Sequence, residues 1–184
     1  MSLKDLQPNG TFGHLVDQLF QHHPWNGLRL WDLIQPAFML MAGSALYISY
    51  HNRLAKGISW QKNFRHIAIR CVALFFLGIV IHCVEKGRLV WELWNVLTQL
   101  AVTTLIAYLI IRKSNTFQLI FSLFLLILTE ILNQCVLIPG YDQPFVIGKN
   151  FGSYMDMVLM GKINPHGWVA INVIPTAAHT IWGV

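Results

Sequence analysis

The chain has 184 residues, 55% of them hydrophobic and only 11% charged, with a formal net charge of +5. A soluble domain carries roughly 25% charge, so this composition excludes an ordinary soluble protein and predicts an all-α, polytopic transmembrane helix bundle. The positive charge does not signal nucleic acid, because the basic residues sit in short loops between apolar runs, where they orient a chain in a bilayer.

In chain order, residues 1–27 form a polar, interfacial segment, in which Leu15, Val16, Leu19 and Phe20 would make one apolar face of a short helix. No charged n-region leads into an apolar stretch there, so no signal peptide is read. About five hydrophobic segments follow, at about 33–50, 67–84, 90–111, 117–138 and an incomplete 168–184, in a single membrane domain over 1–184. Asp32 suits the N-cap of the first span, and Ala42, Gly43, Ser44 and Ala45 form a small-residue patch for close helix packing. Glu92, Asn95 and Gln99 are spaced to share one face of the third span. Glu130 lies inside the fourth and should face the bundle interior, paired with Arg70 or His82 or held neutral, with a structural hydrogen bond between helices as the plainer reading. Pro139-Gly140 stops that span, and Tyr154–Met160 is a short amphipathic piece in the loop after it.

The cysteines Cys71, Cys83 and Cys135 lack ligand spacing, and His51, His66, His166 and His179 have no partner spacing. No metal site is expected from either set. The 51–66 loop and the Arg112-Lys113 turn are basic without acids, which places that side in the cytoplasm. The stretch His22 to Asp32, the Glu85–Arg88 link and the 141–165 loop then lie outside or in the lumen. For a polar tail to reach that side, an upstream helix is expected before Met1. The last apolar stretch reads as cut, so the 184 residues alone are expected not to be active.

The chemistry-bearing stretch is His22-His23-Pro24-Trp25-Asn26-Gly27, running into Asp32-Leu33-Ile34-Gln35-Pro36. Polar groups at the mouth of a spanning helix need a partner, water or a substrate, because lipid satisfies none of them. A histidine there can exchange protons near neutral pH. The plainer reading is an interfacial belt, with Trp25 and Trp31 at headgroup level. Asp32 reads either as a plain helix cap or as a carboxylate that orients the His22 ring. Asn26 reads either as a turn residue of Asn-Gly or as a donor to a developing oxyanion. His23, before proline, reads as an exposed neighbour.

On His22-x-x-Trp25-Asn26-Gly27 with Asp32-Leu33-Ile34-x-Pro36-x-Phe38 and Gly43, the chain resembles the heparan-alpha-glucosaminide N-acetyltransferase-like family, bacterial members of unassigned function included. Weaker matches are Val96-Leu97-x-Gln99, and Asn164-Pro165-His166-Gly167 followed by Ile174-Pro175-Thr176. The resemblance implies a multispan acyltransferase that moves an acetyl group from acetyl-CoA, a co-substrate, to an amine such as an amino sugar across the membrane. His22 takes the place of its catalytic histidine. It further implies a multi-pass integral protein, in a bacterial inner membrane for the bacterial members, and leaves a homo-oligomer open. The family's opening Arg-Gly helix is not found, Leu100 stands where an Arg is usual, and His166 where a Glu is common. CoA contacts are therefore not assigned. The competing readings are a membrane binding or transport module and an inactive fragment. The lack of internal symmetry weighs against the transporter.

Overall fold

The computed structural model describes residues 19–22 and 27–184. The expected amphipathic face at Leu15 and Val16 lies outside the described residues, as do His23, Trp25 and Asn26. The chain divides into two compact units, Met1–Phe38 and Met39–Val184.

The described residues form helices and no named strand, with one isolated bridge between Ile138 and Tyr141. Helix α1 is Ile34–Ala55, entered through a 3-10 turn at Leu30–Leu33. It is followed by α2 at Trp60–Lys86, α3 at Val96–Ile110, α4 at Asn115–Cys135 and α5 at Phe151–Met160. A second 3-10 turn, Ala170–Asn172, leads into α6 at Val173–Trp182. Leu30–Ala55, Trp60–Lys86 and Asn115–Cys135 are long and apolar enough to cross a membrane. The chain is thus an all-α, multi-pass membrane bundle, with outward faces such as Ile69, Val72, Phe76 and Val80 on α2 left apolar and exposed.

Two expected segments are shorter than the apolar runs that mark them. The third was expected over 90–111, but its 15-residue helix begins at Val96. At 1.5 Å per residue, α3 is about 22 Å long against a hydrocarbon core of about 30 Å. The physical reason is the Asn95 cap. Its side-chain oxygen accepts the Leu97 N–H at 2.6 Å, and its amide donates to the Gly78 carbonyl of α2 at 2.8 Å. That geometry holds Asn95 in an extended conformation. Glu92 therefore stands in the link before α3, and the shared face of Glu92, Asn95 and Gln99 does not exist. The last stretch holds only the ten-residue α6. Helix α4 ends at Cys135, before Pro139-Gly140.

In the second unit, α2 packs on α3, and α6 packs on both α3 and α4. The core runs through Leu46 and Tyr50 of α1, Ile67 and Cys71 of α2, Ala101 and Ala107 of α3, Leu125 of α4 and Ala177 of α6. Tyr108 is fully buried and donates its hydroxyl to the Trp60 carbonyl at 3.2 Å. The small-residue patch does what its composition predicts. A Cβ on Gly43 would lie 2.0 Å from the Thr180 carbonyl oxygen, and one on Gly183 would lie 2.1 Å from that of Leu40. The backbones of α1 and α6 touch there because neither glycine carries a side chain. Gly43→Val is expected to force them apart, at a cost of about 1–3 kcal/mol. The check is a lowered apparent melting temperature in detergent, with Ala42→Val as the control.

Glu130 departs from expectation. It is exposed on α4 and its partner is the Gln134 amide one turn on, not Arg70 or His82. The i, i+4 spacing gives the carboxylate a local donor, and that local bond competes with any bond across the bundle.

Candidate functional sites

The first unit brings two of the three sequence-predicted site residues together. The 3-10 turn starts after Arg29, whose extended backbone leads the chain into it. Asp32, third in the turn, accepts the Arg29 N–H through Oδ2 at 2.8 Å. It is therefore not the N-cap of the first span. It is the acid that reaches back to the capping residue's backbone, as in a capping box. The other oxygen, Oδ1, lies 2.7 Å from His22 Nδ1. Asp32 is thus shared between two partners, the Arg29 N–H on one oxygen and the His22 ring on the other.

An ionised carboxylate only accepts, so the His22 nitrogen facing it must donate. With the proton on Nδ1, the lone pair of the neutral ring is on Nε2. The ring is also bounded by Trp31, edge-on with centroids 6.4 Å apart. Trp31 in turn meets Phe20 at 5.9 Å. The His22 side chain is 50% exposed and that of Asp32 21%, so the pair is reachable from solvent while its carboxylate is largely covered. Asn26, the third predicted residue, lies outside the described residues.

The second unit holds a cluster that the sequence reading did not assemble. The Glu92 side chain is 3% exposed, in the link between α2 and α3. Its Oε1 takes both Lys86 from the end of α2 and Lys162 from the loop after α5, the latter at 2.9 Å. Its Oε2 lies 3.2 Å from His82 Nδ1, not aligned for a hydrogen bond. Burial works to raise the Glu92 pKa, but the hydrogen bonds and charges of the two lysines outweigh it and hold the carboxyl below its usual range.

Beside it, Asp156 of α5 is fully buried. It accepts the Trp94 indole N–H at 2.8 Å and the Ala170 N–H at 2.9 Å. Burial dominates these two bonds and pushes its pKa up. The Leu93 N–H also meets Met160 Sδ at 3.2 Å. Together these contacts tie the 87–95 link to α5 and to the segment that leads into α6. The available signal was charge inside apolar surroundings. Asp156 is the lone acid of Phe151–Met160, and Glu92 sits among Trp91, Leu93 and Trp94.

The family described as "Heparan-alpha-glucosaminide N-acetyltransferase, catalytic" matches residues 10–160, which include His22, Asp32, Glu92 and Asp156. The chain belongs to this family. The heparan-alpha-glucosaminide N-acetyltransferases of Homo sapiens and Mus musculus are 35% and 33% identical to it over 91 residues, 46% of this chain in each case. The chain spans 13% of the human protein's length and 14% of the mouse protein's. Both relatives are named for N-acetyl transfer to a heparan alpha-glucosaminide. The resembling block at Asn164–Gly167 lies beyond the matched residues. It is a surface turn in which Asn164 Oδ1 accepts the His166 N–H at 2.8 Å.

Proposed function

We propose that this protein transfers an acetyl group from acetyl-CoA to an amine across the membrane, with His22 as the group that handles the proton. The observation that carries the reading is the His22 Nδ1–Asp32 Oδ1 pair at 2.7 Å, inside residues matched by the family's catalytic region. Amide formation joins the amine nitrogen to the acetyl carbonyl carbon, breaks the carbon–sulfur bond and releases one proton from nitrogen. The thiolate of CoA leaves. In this reading His22 Nε2, with Nδ1–H held by Asp32, accepts that proton and passes it to the departing sulfur. A second route has the same Nε2 attack the thioester first and carry the acetyl group as an acyl-imidazole, which the amine then opens. Asn26 is assigned as donor to the carbonyl oxygen on its place in the sequence block.

The acceptor class is an amine on the side opposite acetyl-CoA, with an amino sugar of a cell envelope as the natural candidate and a bacterial inner membrane as the setting. Membranes containing the full gene product, given labelled acetyl-CoA and glucosamine, should form labelled N-acetylglucosamine above an empty-vector control. No excess over that control, with the protein inserted and monodisperse, would overturn the proposal.

The sidedness makes its own prediction. The basic 51–66 stretch, expected as a loop but holding the end of α1, a turn at 56–59 and the start of α2, should lie in the cytoplasm and the His22 stretch outside. In a background with Cys71, Cys83 and Cys135 replaced by serine, Asn52→Cys should resist an impermeant maleimide in intact cells, while Gln21→Cys reacts. The opposite labelling pattern would reverse the topology.

A further inference from the structure

A serine or threonine inside a helix can place its hydroxyl on a carbonyl of the preceding turn. Ser44, Thr103, Thr129 and Thr176 all do so, donating to the carbonyls of Leu40, Leu100, Leu125 and Asn172. Ser49 of α1 and Thr104 of α3 differ. Among the described residues, neither hydroxyl has a hydrogen-bond partner. Arg70 is in the same condition. It lies ten residues beyond Trp60, about 15 Å along α2, in a helix long and apolar enough to cross a membrane. Among the described residues, no carboxylate pairs with it and no oxygen accepts from its guanidinium.

These three side chains line one cavity of about 70 Å³, with Ala42, Ile67 and Leu74 among its apolar walls. The cavity lies wholly within the second unit. Unspent donors from α1, α2 and α3 thus border a single space. A charge inside a span needs a counter-charge, and Arg70 supplies one positive charge, which selects a monoanion. The planar guanidinium fork fits the two oxygens of a carboxylate. The hydroxyls of Ser49 and Thr104 can each donate to the same anion. One water needs at least about 10–15 Å³ of such space, so the cavity takes a group of a few heavy atoms. Drug-sized ligands need about 300–1,000 Å³, which excludes a nucleotide.

We propose that Ser49, Arg70 and Thr104 form a binding site for a short-chain monocarboxylate such as acetate. The carboxylate oxygens take the three donors, and the alkyl end lies against the apolar walls. The site uses neither His22 nor Asp32, so it stands or falls apart from the acetyl-transfer reading.

The test is equilibrium dialysis of labelled acetate at neutral pH against the full chain in phosphatidylcholine nanodiscs, with empty nanodiscs as background. The ceiling on binding free energy per heavy atom puts the tightest Kd for so small a ligand at about tens of micromolar, so the titration extends into the millimolar range. Binding should saturate at one acetate per chain. Propionate should compete, and methyl acetate, which lacks the charge, should not. Phosphate and chloride should need about tenfold more or higher. Arg70→Gln should weaken binding about tenfold or more, and Ser49→Ala and Thr104→Val about three- to tenfold each. Valine keeps the shape of threonine, so Thr104→Val decides the matter if Arg70→Gln misfolds. Ser44→Ala, whose hydroxyl is already spent on Leu40, and His22→Ala should bind as wild type does. The proposal is overturned by a lack of saturable binding, or by methyl acetate, phosphate or chloride competing as well as propionate. Undiminished binding in folded Arg70→Gln or Thr104→Val, or loss of binding in His22→Ala, would overturn it too.

Discussion

His22→Ala is expected to lower the rate of acetyl transfer by about 10²–10⁴-fold, the usual contribution of a positioned general base. Folding should be little changed, since half of the His22 side chain is exposed and its partner Asp32 keeps the Arg29 N–H. If His22 attacks the thioester itself, the loss is larger, because no covalent route remains. His23→Ala should retain much of the activity, because the His-x-x-Trp-Asn-Gly spacing selects His22. Asp32→Asn should fall between the two. An asparagine still accepts through one oxygen, but it no longer presents an acceptor-only carboxylate to Nδ1. Initial rates in detergent, normalised to the monodisperse fraction, decide the matter. Near-normal turnover in His22→Ala, or a dead His23→Ala, would remove His22 from the mechanism.

The second large effect belongs to the Glu92 cluster and is asymmetric. Removing both lysines strands a carboxylate that is 3% exposed. Breaking a buried pair from that side costs about 3–5 kcal/mol. For a chain of this size, that is a fall of roughly 6–20 °C in melting temperature. Glu92→Gln should cost far less, because the two ammonium groups it releases are already partly in water. Adding Glu92→Gln to the double lysine variant should therefore restore stability, although it removes a further charge. Failure of that rescue would show that the lysines act through packing and not through the carboxylate. The pH dependence follows from the lowered Glu92 pKa. A carboxyl depressed in the folded state adds stability above its unfolded value, about 4.3 for a glutamate. That stability is lost as pH falls through the folded value. Melting curves in acid should show wild type converging on the Glu92→Gln variant below the ordinary glutamate range.

Much of this architecture could be read from composition and spacing, and the misses have physical causes. The helices that cross the membrane stand out because some twenty apolar residues in a row have few other uses. The contact at Gly43 could be read because four small residues together admit a backbone. The start of α3 could not. Val90 to Ile111 is apolar throughout apart from a few polar residues, and hydropathy does not report that Asn95 caps a helix by accepting the Leu97 N–H while its amide donates back to Gly78. The His22–Asp32 pair could be guessed from a turn between them, but not the division of Asp32 between two donors, which depends on the 3-10 geometry at Leu30–Leu33. The Glu92 cluster was out of reach for a different reason. Lys162 is 70 residues away in sequence, and only the fold brings it to Oε1. Glu130 misled because a carboxylate in an apolar run is expected to seek a partner across the bundle, and a glutamine one turn away satisfies it locally.

The central claim is tested most directly in sealed vesicles that carry the full gene product in one orientation, with labelled acetyl-CoA on the face of the turn between α1 and α2 and glucosamine on the other. The account predicts N-acetylglucosamine on the glucosamine side for wild type and a loss of about 10²-fold or more for His22→Ala. Product confined to the acetyl-CoA side, or equal product from wild type and His22→Ala at matched amounts of inserted protein, would contradict it.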